Sequence, residues 1–251
     1  MLNLKSVKTQ LILYLIGFIV FLTLKDKASV FLFTCLIAVI SAFVIESIIL
    51  YLKTKKFQLT ESSIITGLII GYVISSDEVW WKFMLAVAFA IISKHLIVFK
   101  KKHLFNPAAF GIFLSLMILG VSTQWRGTYL WYILVPFGIY FMHKINKTEV
   151  VIGYFLVALL LFGIQAVIQK VNFWNVFGYF SYFYIFVMVI EPKTTPLQAK
   201  GKYLFGAGLA GLIFILTEVG VRFDAELFSL LVLNITVPIL NLLPFKKGGR
   251  V

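Results

Sequence analysis

Apolar runs separated by short charged clusters follow one another along almost the whole chain, near residues 9–24, 29–52, 60–76, 83–99, 107–121, 128–142, 148–168, 174–190, 203–220 and 225–243. Ten-residue segments that alternate apolar and polar positions, the mark of a membrane barrel, are absent. The pattern therefore predicts ten membrane-spanning helices. A complete crossing needs about 20 residues, and the third and fifth runs fall well short of that. Short spans imply non-helical backbone that is sheltered by protein or lines a cavity, because lipid satisfies no free peptide groups.

Composition sharpens this to an all-α polytopic membrane protein. Of 251 residues, 61% are hydrophobic and 13% charged, with a mean hydropathy of +1.00. A soluble domain needs more charge than this to cover its core. The net charge of +13 sits in clusters between apolar runs and forms no continuous basic face, so it reads as a topology signal and not as a nucleic-acid site. Sixteen Lys and Arg residues fall in one set of alternate connections (Lys5, Lys8, Lys53, Lys55, Lys56, Lys100, Lys101, Lys102, Lys144, Lys147, Lys193, Lys200, Lys202, Lys246, Lys247, Arg250) and six in the other (Lys25, Lys27, Lys82, Arg126, Lys170, Arg222). The positive-inside rule then places both termini in the cytoplasm. The N-terminal segment reads as a first helix and not as a cleaved signal peptide. The single cysteine, Cys35, excludes a disulfide within the chain.

Two stretches repeat. "FNPAAFGIFLSL" from Phe105 aligns with "FDAELFSLLVLN" from Phe223, pairing Phe105 with Phe223, Asn106 with Asp224 and Phe110 with Phe228; upstream, "KFMLAVAFA" from Lys82 resembles "KYLFGAGLA" from Lys202. The chain reads as one membrane domain over 1–251, made of two five-helix copies, 1–122 and 123–251. Five is odd, so the copies are expected to be inverted relative to each other.

Few residues could carry chemistry. Asn106 is an N-cap type with Pro107 at the first helical position. The free amides there suit an anion or the electron-rich edge of a flavin, while Ala108, Ala109 and Gly111 admit a close neighbour, either a flat ring or another helix. Asp224 has the same two readings, a cap or a site. "EPKTTPLQAKGK" from Glu191 is the longest polar insertion, read either as a plain loop or as a site built on Glu191, Thr194 and Thr195. Glu46 lies inside the second run, a snorkelling carboxylate or part of an ion path; Lys94 and His95 are expected to snorkel as well, and His103 and His143 to be solvated. Pro136 and Pro238 interrupt two runs. Asn234, a turn before Pro238, is a further ion-path candidate alongside Glu46 and Asp224. No metal-ligand spacing, phosphate loop or nucleophile motif occurs, so the residues themselves assign no catalytic group and no metal.

"FNPAAFG", "EPKTTP" followed by "KGKYLFGAGLAG", and "DAELFSLLVLNITVPILN" together resemble the RnfD and NqrB subunits of ion-pumping, flavin-containing electron-transport complexes, from about Thr66 to Asn241. The resemblance implies ten helices in two inverted halves, a place in the cell (inner) membrane, a bound flavin, passage of Na⁺ or H⁺, and partner subunits of a membrane redox complex. Members carry FMN on the last threonine of an S-G-A-T or T-G-A-T motif in the connection between helices five and six. That connection here is "GVSTQWRGTYLW", with Thr123 and Thr128 but no G-A-T, so no covalent flavin is assigned to it. What the resemblance implies is thus FMN or riboflavin held non-covalently near Asn106, or a scaffold lacking flavin. Three functions are open: a subunit of an ion-translocating oxidoreductase, a carrier for an ion or small solute without redox chemistry, and an anchor for soluble electron-transfer partners.

Overall fold

The computed structural model describes residues 6–58, 60–100 and 102–243. Lys5, Lys101, Lys246, Lys247 and Arg250, counted above for orientation, lie outside the described residues. The protein is a multi-pass all-α membrane protein that divides into two compact units, Met1–Tyr129 and Leu130–Val251. Four helices are long and apolar enough to cross a membrane by length and composition: α1 (Val7–Asp26), α2 (Ser29–Thr54), α7 (Thr148–Ile168) and α8 (Ala199–Val219).

In the first unit α1 and α2 are followed by the short α3 (Glu61–Val73), then α4 (Trp80–Leu96), a two-stranded hairpin of β1 (Val98–Phe99) and β2 (Lys102–His103), and the short α5 (Pro107–Leu119). Helix α3 starts where Thr60 Oγ1 accepts the Ser63 N–H. It stops at the polar run Ser75–Ser76–Asp77, and its last carbonyls are taken by the connection after α5. Gln124 and Arg126 donate their backbone N–H to Val73 O and Tyr72 O at 2.7 and 2.9 Å, and Ser75 N donates to Ser122 O at 2.9 Å. A helix too short to span is thus closed by another segment's peptide groups and not by lipid. Gly67 and Gly71 face Ala38, Val39 and Cys35, so α2 and α3 cross with backbones nearly touching.

The second unit repeats the order with α6 (Trp131–Lys144), α7, a broken segment, α8 and α9 (Ala225–Leu240). The eighth run is not one helix as its apolarity suggests. It is a 3₁₀ turn, Phe173–Tyr179, a break at Phe180–Ser181, and a π-helical stretch, Tyr184–Met188. The two pieces occupy different surroundings: Trp174 is largely exposed, while Phe183, Tyr184 and Ile185 are fully buried. Asn172 Oδ1 caps the first piece at Trp174 N, and Ser181 Oγ accepts the Tyr184 N–H at the start of the second. Pro136 and Pro238 lie within α6 and α9 without ending either helix. His143 is exposed and meets Thr148 Oγ1 at 3.2 Å. His103 is buried, against the expectation that its lysine neighbours keep it in water, because strand alternation turns Lys102 out and His103 in. Its Nδ1 meets the Phe105 carbonyl at 2.9 Å.

Candidate functional site

The two aligned helix starts share one local geometry. Asn106 Oδ1 accepts the Ala109 N–H at 3.0 Å, and Asp224 Oδ1 accepts the Leu227 N–H at 2.9 Å. The flanking rings pair as well, Phe105 with Phe110 at 5.5 Å between centroids and Phe223 with Phe228 at 4.9 Å. Asn106, Pro107, Ala108 and Ala109 are buried, and Phe105 and Phe110 are half-buried. A Cβ on Gly111 would lie 2.3 Å from Ala86 O and 2.7 Å from Ala90 Cβ, so the neighbour it admits is α4.

In the second unit Glu191, Thr194, Thr195 and Asn234 come together. The Thr194 and Thr195 hydroxyls donate to Glu191 Oε2 and Glu191 O at 3.4 and 2.9 Å, and Asn234 Nδ2 on α9 donates to Thr194 O at 3.0 Å. Lys147 Nζ donates to Pro196 O at 3.1 Å, and Asn241 Oδ1 accepts the Leu197 N–H at 2.9 Å. Thr194, Thr195 and Asn234 are at most 2% exposed, while Pro192, Lys193 and Leu197 of the same stretch are exposed. Replacing Asn234 with leucine leaves the buried Thr194 carbonyl without this donor. It is expected to lower stability by about 1–3 kcal/mol, seen as a fall in the melting temperature of the detergent-solubilised protein. An unchanged temperature would show that Lys147 and Asn241 hold the turn by themselves.

Glu46 does not snorkel. Lys94 Nζ lies 2.7 Å from its Oε1 and His95 Nε2 3.1 Å from its Oε2, and the carboxylate side chain is 3% exposed. Lys53 Nζ sits 3.3 Å from His95 Nδ1, so the ring accepts from Lys53 and donates to Glu46. Sequence reasoning placed Lys94 and His95 near the end of their span but missed them as partners of Glu46, which lies 48 and 49 residues away. Glu61, which accepts from Thr9 and Ser6, was missed as well, and so was the pairing of Lys202 with Glu149 at 3.1 Å.

The connection that holds Thr123 and Thr128 is pinned from several sides. Thr123 forms a bridge with Ile74, and Thr128 N donates to Trp125 O. The Arg126 guanidinium lies 4.8 Å over the Phe31 ring and donates to Ser76 Oγ at 3.3 Å. Glu78 accepts from Ser122 N and Oγ at 2.8 and 3.0 Å and pairs with Lys82 at 2.7 Å. Burial works against the charge of Glu78, but the Lys82 ammonium and the Ser122 donors prevail and hold its carboxyl below the usual range. Among the described residues no group of three or more His, Cys, Asp or Glu side chains could hold a metal ion.

Comparison with known proteins adds two findings. A family model described as the NQR2, RnfD, RnfE family matches the chain twice, over residues 2–132 and again over 117–247. A protein from Tolumonas auensis, described as a subunit of an ion-translocating oxidoreductase complex, is 36% identical over 56 residues, which are 22% of this chain and 16% of that relative.

Proposed function

The chain belongs to the NQR2, RnfD, RnfE family, and from that premise we propose that it is a membrane-embedded subunit of an ion-translocating electron-transport complex, holding FMN or riboflavin without a covalent bond at the start of α5. The observation that carries this reading is the duplicated, capped helix start, neutral in one copy and acidic in the other. An electron-rich ring edge is repelled by Asp224 but can be met by the Asn106 carboxamide and the positive end of α5. A cation has the opposite preference. Asn106 and Pro107 with the flanking Phe105 and Phe110 rings are therefore assigned to the flavin, and Asp224 at the start of α9, with Asn234 about 15 Å further along the same helix, to the ion.

A bound flavin would supply the electron transfer. The residues of this chain would orient the ring and shield it from water, and Gly111 would hold α5 tightly to α4 beneath it. Glu191, Thr194 and Thr195, whose side chains are engaged within their own turn, would position Asn234. Electrons would be delivered and removed by other subunits, and the lysine-rich connections would face the cytoplasm. Glu46, in the first unit, would be a carboxylate able to exchange Lys94 and His95 for a cation.

The test is purification in mild detergent followed by flavin absorbance and a denaturing gel under ultraviolet light. Flavin released on denaturation is expected, with its content reduced roughly tenfold or more in Asn106→Leu, the scale of about 1.4 kcal/mol or more of lost binding. A fluorescent band on the gel would disprove the non-covalent mode, and unchanged flavin content in the variant would remove the α5 start from the site. A carrier without redox chemistry is the second reading, favoured by the charges that Glu46 and Lys94 hold within helices. Protein that stays colourless with added FMN yet moves an ion in liposomes would select it.

A further inference from the structure

We infer that the end of the first unit where α2 and α4 finish is a binding surface for anionic phospholipid headgroups. Lys53, Lys55 and Lys56 leave α2 there with exposed side chains, and Lys100 and Lys102 are exposed on the hairpin that follows α4. The contact between Lys53 Nζ and His95 Nδ1 ties the two helix ends together. Leu104 N donating to Ile97 O, together with buried His103, fixes the hairpin against the start of α5.

The charge at this end is unbalanced. The acids of the first unit are Asp26, Glu46, Glu61, Asp77 and Glu78. Asp26, Asp77 and Glu78 belong to the other connections of the unit, where Tyr129, Ser75 and Lys82 meet them. Glu46 is buried under Lys94 and His95, and Glu61 accepts from the Ser6 and Thr9 hydroxyls. Glu46 is offset by Lys94, and Glu61 leaves one half-buried negative charge against five exposed lysines, so a ligand with several negative charges is called for.

Apolar side chains say which ligand. Phe57 and Leu96 are 76% and 74% exposed, with Leu52, Val98 and Phe99 exposed beside them. Phe57 stacks on Tyr51 at 4.6 Å, and the ammonium groups of Lys55 and Lys100 lie 5.8 and 5.5 Å from the Tyr51 and Phe99 ring centres. Rings and aliphatic side chains at the level where spans end, with ammonium groups among them, match the layer between acyl chains and phosphates. An acidic soluble protein would satisfy the lysines and leave these apolar groups in lipid, unused.

The test titrates the intact detergent-purified protein with phosphatidylglycerol, phosphatidylcholine, inorganic phosphate or polyglutamate, reading bound species by native mass spectrometry. Phosphatidylglycerol is expected to bind roughly tenfold or more tighter than phosphatidylcholine, and phosphate at equal concentration to leave it in place. The combined variant K55Q/K56Q/K100Q/K102Q is expected to lose that preference, whereas K27Q, in the connection between α1 and α2, keeps it. These lysines are exposed, so the variants are expected to fold, and an unchanged melting temperature would confirm it. Equal binding of the two lipids, retained preference in the combined variant, displacement by phosphate, or polyglutamate binding without lipid preference would each overturn the inference.

Discussion

Replacing Glu46 with leucine is expected to destabilise the protein by about 3–5 kcal/mol, because it strands the Lys94 ammonium in a buried site without its counter-charge. Lys94 is 10% exposed and has its 2.7 Å contact with Glu46 Oε1 as its ion pair. Lys94→Met is expected to cost less, toward about 3 kcal/mol, since His95 Nε2 and Thr60 Oγ1 still reach the carboxylate at 3.1 and 3.5 Å. The double variant should recover most of the loss, as buried ion pairs replaced by apolar side chains of similar size often do. Unfolding of the four proteins in one detergent, followed by tryptophan fluorescence, gives the coupling as a double-mutant cycle. A cost below about 1 kcal/mol for Glu46→Leu, the scale of a solvated pair, would mean that water reaches this carboxylate. That result would favour a hydrated ion path through the first unit over a sealed one.

The parts of this site that depend on neighbouring residues were legible in the sequence. Asn106 and Asp224 cap because of their residue type and the helix that follows. The short third and fifth runs became short helices for a reason visible in the sequence, the polar residues at Ser75–Asp77 and the glycine at Gly120, which adopts φ 59°. Partnerships across the chain were not legible. Asn234 finds Thr194 across 40 residues and Lys202 finds Glu149 across 53, and no local pattern encodes either. The eighth run misled for a different reason: hydropathy cannot separate a continuous span from an exposed 3₁₀ turn joined to a fully buried half-helix, since both are apolar. The same limit hid the role of the glycines, which look alike in sequence and differ in what they face.

Helix α8 makes that difference measurable, because two of its glycines are expected to respond in opposite directions to the same substitution. A Cβ on Gly206 would lie 2.0 Å from Val150 O and 2.8 Å from Tyr154 N, and one on Gly153 of α7 would lie 2.4 Å from Tyr203 O. The two helices cross backbone to backbone at these glycines, the arrangement that holds membrane helices together where lipid provides no hydrophobic drive. Gly206→Ala must push α7 and α8 apart, and since the obstacle is backbone it cannot be relieved by a rotamer change. The expected cost is about 3 kcal/mol, the upper part of the usual range for overpacking, with a corresponding loss of folded protein on expression. Gly211 faces nothing within 4 Å, so Gly211→Ala is expected to be neutral or to stabilise by about 0.5–1 kcal/mol through helix propensity. Melting temperatures of the two variants in the same detergent decide the matter. Equal and small shifts would mean that α7 and α8 do not meet at Gly153 and Gly206. A large loss confined to Gly206→Ala would establish the crossing as the contact from which the second unit is built, with the Lys202–Glu149 pair beside it and the Thr194–Asn234 turn leading into the start of α8.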